Sequence, residues 1–223
     1  MARYLGWVKS GAFLLCLLPL TFYLQRLYVD ELGANPIEAL TRGLGTWALN
    51  FLLITLMVTP LRRFSGWNWL IRLRRMLGLY CFFYALLHLG TYLWFDQFFD
   101  WIAIAQDIFK RPFITVGMLS FVLLLPLAMT SNTFALRRLG GRRWQKLHRG
   151  IYAIGLLAVL HYSWMVKADI AGPLWYAAAL AVLLGLRVYW RFKDSRQPRH
   201  GSGQNSPLRS PSGRRVIPLV VRK

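Results

Sequence analysis

Six stretches of about 17–20 residues carry almost no charge: 8–27, 44–61, 76–95, 113–130, 150–166 and 172–189. As α-helix, that length crosses the hydrocarbon of a bilayer. Lipid offers the backbone no hydrogen-bond partner, so such segments must be helical. The pattern predicts an all-α polytopic membrane protein, with a six-transmembrane-helix bundle over residues 1–193 and a tail at 194–223. The chain is 56% hydrophobic and only 16% charged, too few charges to coat a soluble globule, yet its net charge is +20. Those cations sit between the apolar runs, which makes membrane lipid their partner and excludes nucleic acid.

The same charges set an orientation. With the N-terminus in the cytoplasm, 23 of the 28 Lys and Arg fall inside and seven of the eight acidic residues fall outside. The positive-inside rule therefore predicts both termini in the cytoplasm. The first run reads as a retained helix and not as a cleaved leader, because it is long, holds Pro19 near its middle and lacks a small-x-small cleavage site. Cys16 and Cys81 lie in different runs without metal or redox spacing, so they read as packing residues. From Asp194 onward the composition turns to Ser, Gly, Pro and Arg, which predicts a basic, disordered tail drawn to anionic lipid.

Three histidines have placements that need explaining; His200 lies in the tail. His88 and His161 each fall about 12 residues into a run entered from the cytoplasm, roughly 18 Å deep at the helical rise. Two imidazoles at one depth on different helices can meet a single metal from opposite sides. Ionisable groups so deep are costly and tend to mark function. No Cys, Asp or Glu accompanies them, which leaves zinc or non-haem iron short of ligands. Haem brings four nitrogens of its own and asks for only two axial histidines. Without a Cys-x-x-Cys-His sequence the haem is non-covalent, b type. His148 falls about 20 Å lower, at the cytoplasmic mouth. Gly78, Gly90, Gly150 and Gly155 read either as room for a macrocycle or as ordinary small-residue helix packing.

Several motifs carry a family likeness: Arg74-Arg75-Met76-Leu77-Gly78-Leu79-Tyr80 running to Tyr84-Ala85-Leu86-Leu87-His88, then Lys110-Arg111-Pro112-Phe113-Ile114-Thr115-Val116-Gly117, and Trp144-Gln145-Lys146-Leu147-His148-Arg149-Gly150-Ile151-Tyr152 leading to His161. Over residues 5–192 the chain resembles the ferric-reductase-like transmembrane family, and within it the bacterial haem-binding subunits of periplasmic methionine sulfoxide reductase systems. The resemblance implies a multi-pass protein of the bacterial inner membrane. It implies an electron-transfer subunit whose donor is the quinone pool or a cytoplasmic flavin reductase. Electrons would pass through FMN and haem b to a periplasmic molybdopterin-containing subunit that repairs oxidised proteins.

One departure from the family pattern bears on the cofactors. Two-haem relatives, such as the NADPH oxidases, carry paired histidines on both helices. Here His161 has His148 below it, but thirteen or fourteen residues before His88 stand Arg75 and Arg74. Arginine stays protonated and cannot ligate iron. Either His148 holds a second haem with an unusual partner, or the inner position holds something else. Arginine forks bind phosphate in pairs of hydrogen bonds, so Arg74 and Arg75, with His148, become the candidate FMN site. No nucleotide loop or catalytic dyad is present, so partners are expected at both ends. Two other readings remain: a ferric-chelate reductase, and a proton-coupled transporter or channel with histidines as relays.

Overall fold

Each apolar run becomes helix in the computed structural model, which describes residues 2–166 and 170–196. The helices are α1 (Ala2–Tyr28), α2 (Pro36–Ser65), α3 (Arg74–Thr91), α4 (Trp101–Lys110), α5 (Pro112–Met129), α6 (Thr133–Leu139), α7 (Gly141–His148), α8 (Ile151–Met165) and α9 (Ala171–Arg196). A 3₁₀ turn at Asn68–Arg72 precedes α3, and a π turn at Tyr92–Asp96 extends it. There is no strand among the described residues. Five segments are long and apolar enough to cross a membrane: Gly6–Tyr28, Pro36–Ser65, Arg74–Asp96, Pro112–Met129 and Ala171–Arg196. The remaining apolar run is the 15-residue α8. Leu14, Leu15, Val122, Leu156 and Val182 stand exposed on these helices, a surface suited to lipid and not to water. This is an all-α polytopic membrane protein.

Met1–Arg187 form one compact unit and Val188–Lys223 a second, of which the end of α9 is described. Of the basic tail expected from Asp194, the first three residues continue α9 to Arg196, and the rest, with His200, lies outside the described residues.

Local chemistry fixes the ends. Asn35 caps α2 by accepting from the Glu38 N–H, with Pro36 at the first helical position where no N–H is needed. The helix stops at Gly66, whose φ of 74° suits glycine. Asp100 caps α4 through the N–H groups of Ile102 and Ala103.

Within the first unit α2 is the central helix, packed along α3 and also touching α1 and α8; α5 packs along α8. Leu44, Leu56, Tyr84 and Ile154 are fully enclosed, and Cys16 and Cys81 are buried as packing residues. Prolines open helix bonds that side chains then close. Pro60 cannot donate to the Leu56 carbonyl, four residues back, and Arg187 Nη2 donates to it instead at 2.5 Å. In α1, beside Pro19, Tyr84 Oη donates to the Cys16 carbonyl (2.8 Å) and accepts from the Leu20 N–H (3.1 Å). That pair would meet directly in an undisturbed helix. Tyr84→Phe strips both groups of this partner in a dry core. We expect a loss of about 1–3 kcal/mol, read as a lower midpoint in thermal unfolding of the purified protein.

Candidate functional site

His88 lies in the last turn of α3, and His161 lies four residues before the end of α8. Each uses the helix its own helix packs along, and in the same way. His88 Nδ1 donates to the Thr41 carbonyl of α2 at 2.8 Å, and His161 Nδ1 donates to the Phe113 carbonyl of α5 at 2.7 Å. A carbonyl only accepts, so Nδ1 carries the proton in both rings and Nε2 keeps its lone pair. Four residues beyond each acceptor stands a glycine. A Cβ on Gly45 would lie 2.9 Å from His88 Nδ1, and one on Gly117 would lie 2.8 Å from His161 Cε1. Both imidazoles therefore rest on bare helix backbone.

The two ring centroids are 6.1 Å apart with planes inclined at 70°. Two metal–nitrogen bonds of about 2.0–2.1 Å, plus roughly 1 Å from each nitrogen to its ring centre, sum to nearly that separation. Both rings line one cavity of about 920 Å³ among α2, α3, α5 and α8, at the upper end of the roughly 300–1,000 Å³ typical of ligand sites. Its walls are apolar, with Leu49, Leu52, Phe121 and Ile154; Arg42 and Arg111 also line it, ion-paired to Glu38 and Asp107. Thr41 Oγ1, on a lining residue, is buried without a hydrogen-bond partner.

Among the described residues no set of three or more His, Cys, Asp or Glu could hold a metal ion. The donors are two imidazoles, a complete set only for a metal that brings its other ligands. Paired Nε2 atoms, a glycine cradle for each ring, an orphaned hydroxyl and an apolar cavity all fit haem b.

The other candidates sit elsewhere. His148 ends α7, with its ring stacked on Trp144 at 3.8 Å. Its Nδ1 faces the Trp144 carbonyl at 3.1 Å and its Nε2 faces Ser131 Oγ at 3.4 Å. Burial pushes its pKa below the usual imidazole range; the Arg74 charge acts in the same direction, against the Trp144 and Leu127 carbonyls. It does not line the cavity shared by His88 and His161. Arg74 is half-buried, close to the Arg187 cation and the Tyr152 side chain. Arg75 is exposed and lines a different groove, with Lys9 and Arg72. The structure thus brings His148 and Arg74 together and turns Arg75 away from them.

Residues 44–159 match the family model described as ferric reductase like transmembrane component. The chain belongs to that family. The match takes in His88 and His148 and stops two residues short of His161. Curated relatives align beyond it. The protein-methionine-sulfoxide reductase heme-binding subunit MsrQ of Azospira oryzae is 59% identical, over 86% of this chain and 82% of its own length. The subunit of the same name from Herminiimonas arsenicoxydans is 54% identical, over 83% and 86%. That of Ralstonia nicotianae is 52% identical, over 91% and 94%.

In this ferric-reductase-like chain, sequence reasoning missed Thr41, Gly45, the Phe113 carbonyl and the role of Gly117. The glycines it singled out do other things. A Cβ on Gly78 would meet Thr55 at 3.7 Å and one on Gly155 would meet Leu180 and Leu52, so both are helix-packing positions. Gly90 faces open space, and Gly150 meets the Leu147 carbonyl. The available signal was a glycine near the start of both the second and the fourth apolar run, Gly45 and Gly117.

Proposed function

We propose that this chain is the haem-binding membrane subunit of a methionine sulfoxide reductase system, carrying electrons across the bacterial inner membrane to a periplasmic molybdopterin-containing partner. One observation carries the reading: two imidazoles from separate helix pairs, each with Nε2 free, line a single cavity. The names of the curated relatives support the choice of system. Bound between His88 and His161, haem b supplies a one-electron carrier. The Thr41 and Phe113 carbonyls fix ring direction and tautomer, and they make each Nε2 more basic, which favours oxidised iron. Leu49, Leu52, Phe121 and Ile154 keep water from that site.

The chain crosses the membrane six times with both termini in the cytoplasm. The charge asymmetry supports this, as does α8, apolar and packed along α5. The donor is the quinone pool or a cytoplasmic flavin reductase, acting through FMN on the inner side. To test the function, the chain is reduced anaerobically and mixed with the periplasmic reductase and methionine sulfoxide. The reduced haem bands should fade only when both are present. Fading with ferric chelates alone, and none with the reductase, would overturn the proposal in favour of chelate reduction.

FMN binds by its phosphate at Arg74, next to His148. What supports Arg74 over Arg75 is its position beside Arg187 and Tyr152, with no carboxylate among the groups that act on it. Arg74→Gln should lower FMN recovered per polypeptide by about tenfold, the loss of one charge-assisted phosphate contact of roughly 1.5 kcal/mol. Arg75→Gln should leave it unchanged. Flavin fluorescence after denaturation reads both.

A further inference from the structure

A second cavity, of about 500 Å³, lies between α1 and α3 and has no part in the haem site. At one end stand three exposed cations, Lys9, Arg72 and Arg75. No carboxylate lines the groove, and none among the described residues pairs with these three. From that end the lining turns apolar. Phe13 and Leu17 follow Lys9 at successive steps of four on α1, and Leu79 and Phe83 follow Arg75 at the same steps on α3. Both helices run in the same direction, since Phe13 meets Tyr80 and Cys16 meets Tyr84. The cations therefore share one end, and the apolar floor extends some 12 Å beyond them at the helical rise. Tyr80 Oη, the polar atom of the floor, already donates to the Phe13 carbonyl.

We infer that this groove is a binding site for an acidic glycerophospholipid, its phosphate held by Lys9, Arg72 and Arg75 and one acyl chain laid along Phe13, Leu17, Leu79 and Phe83. Three clustered cations without a carboxylate favour an anion. A floor that is apolar, about 12 Å long and open on its outer side requires an acyl chain. Only an amphiphile satisfies both ends, and basic pockets between transmembrane helices recognise acidic lipid headgroups in this way. The assignment to the inner leaflet rests on the orientation proposed above; binding itself does not, because it is measured in detergent.

The test is native mass spectrometry of the purified full chain, presented with equal phosphatidylglycerol and phosphatidylcholine. Each cation near a lipid phosphate contributes about fivefold, so wild type should retain phosphatidylglycerol in large excess. A triple variant, Lys9→Gln with Arg72→Gln and Arg75→Gln, should bring the two lipids to near parity. Arg137→Gln with Arg138→Gln, on α6, should leave the preference intact. Leu79→Trp, which fills the floor and keeps every charge, should lower retention of both lipids. Size-exclusion elution at the wild-type volume confirms that each variant is folded. An equal loss in the α6 variant, or unchanged retention in Leu79→Trp, would overturn the site. So would loss of FMN in place of lipid in the triple variant, since the groove would then belong to the flavin phosphate. Reversed accessibility of single cysteines introduced into the loops would change only the leaflet.

Discussion

Replacing His88 by alanine should leave a purified protein with no b-type haem bands, and His161→Ala should do the same. Each substitution removes one of the two imidazoles proposed to hold the haem, and no third histidine lines the cavity among the described residues. Loss of an outer-sphere partner of a metal ligand costs about 10–100-fold in affinity; loss of the ligand itself must exceed that. The fold should survive, because both rings face a cavity and not the packed core of Leu44, Leu56, Tyr84 and Ile154. A pyridine haemochromogen assay gives haem per polypeptide, and far-ultraviolet circular dichroism checks helix content. His148→Ala should keep the full haem content, since its ring stacks on Trp144 outside the cavity. Haem per polypeptide halving in His148→Ala would mean a second haem at that residue. Undiminished bands in both His88→Ala and His161→Ala would end the conduit reading.

The helices and the facing histidine pair were legible in the sequence for different reasons. A run such as 113–130 has one stable form in lipid, so length and composition sufficed for α5, which spans Pro112–Met129. Helices α4, α6 and α7 have 10, 7 and 8 residues, too short and too polar at their ends to stand out from loops. His88 and His161 could be paired because depth in a membrane is countable along a helix. Their orienting partners could not be foreseen, because Thr41 and Phe113 act through backbone carbonyls, which every residue has. Arg74 and Arg75 were read as one site because they adjoin in sequence, yet neighbours on a helix point about 100° apart. One therefore faces Arg187 and Tyr152 while the other faces the groove beside Lys9.

Changing no ligand at all should also empty the haem site. Gly117→Val places a β-branched side chain where a Cβ alone would already stand 2.8 Å from both Cε1 and Nδ1 of His161. The α5 backbone can retreat from the ring only by giving up its packing along α8. The imidazole must then swing out, breaking its 2.7 Å bond to Phe113 and turning Nε2 off line. Gly45→Val acts on His88 in the same way, through Nδ1 at 2.9 Å and Cε1 at 3.0 Å. Loss of the orienting bond by itself predicts about 10–100-fold weaker haem binding, and displacement of the ring adds to that. Gly90→Val gives the control: it lies two residues from His88 on α3, where an added Cβ meets nothing within 4 Å. Haem titration of the three purified variants separates the outcomes. Weakened binding at 45 and 117 with normal binding at 90 places the rings against bare backbone; equal weakening at all three would trace the loss to helix propensity and dissolve the cradle.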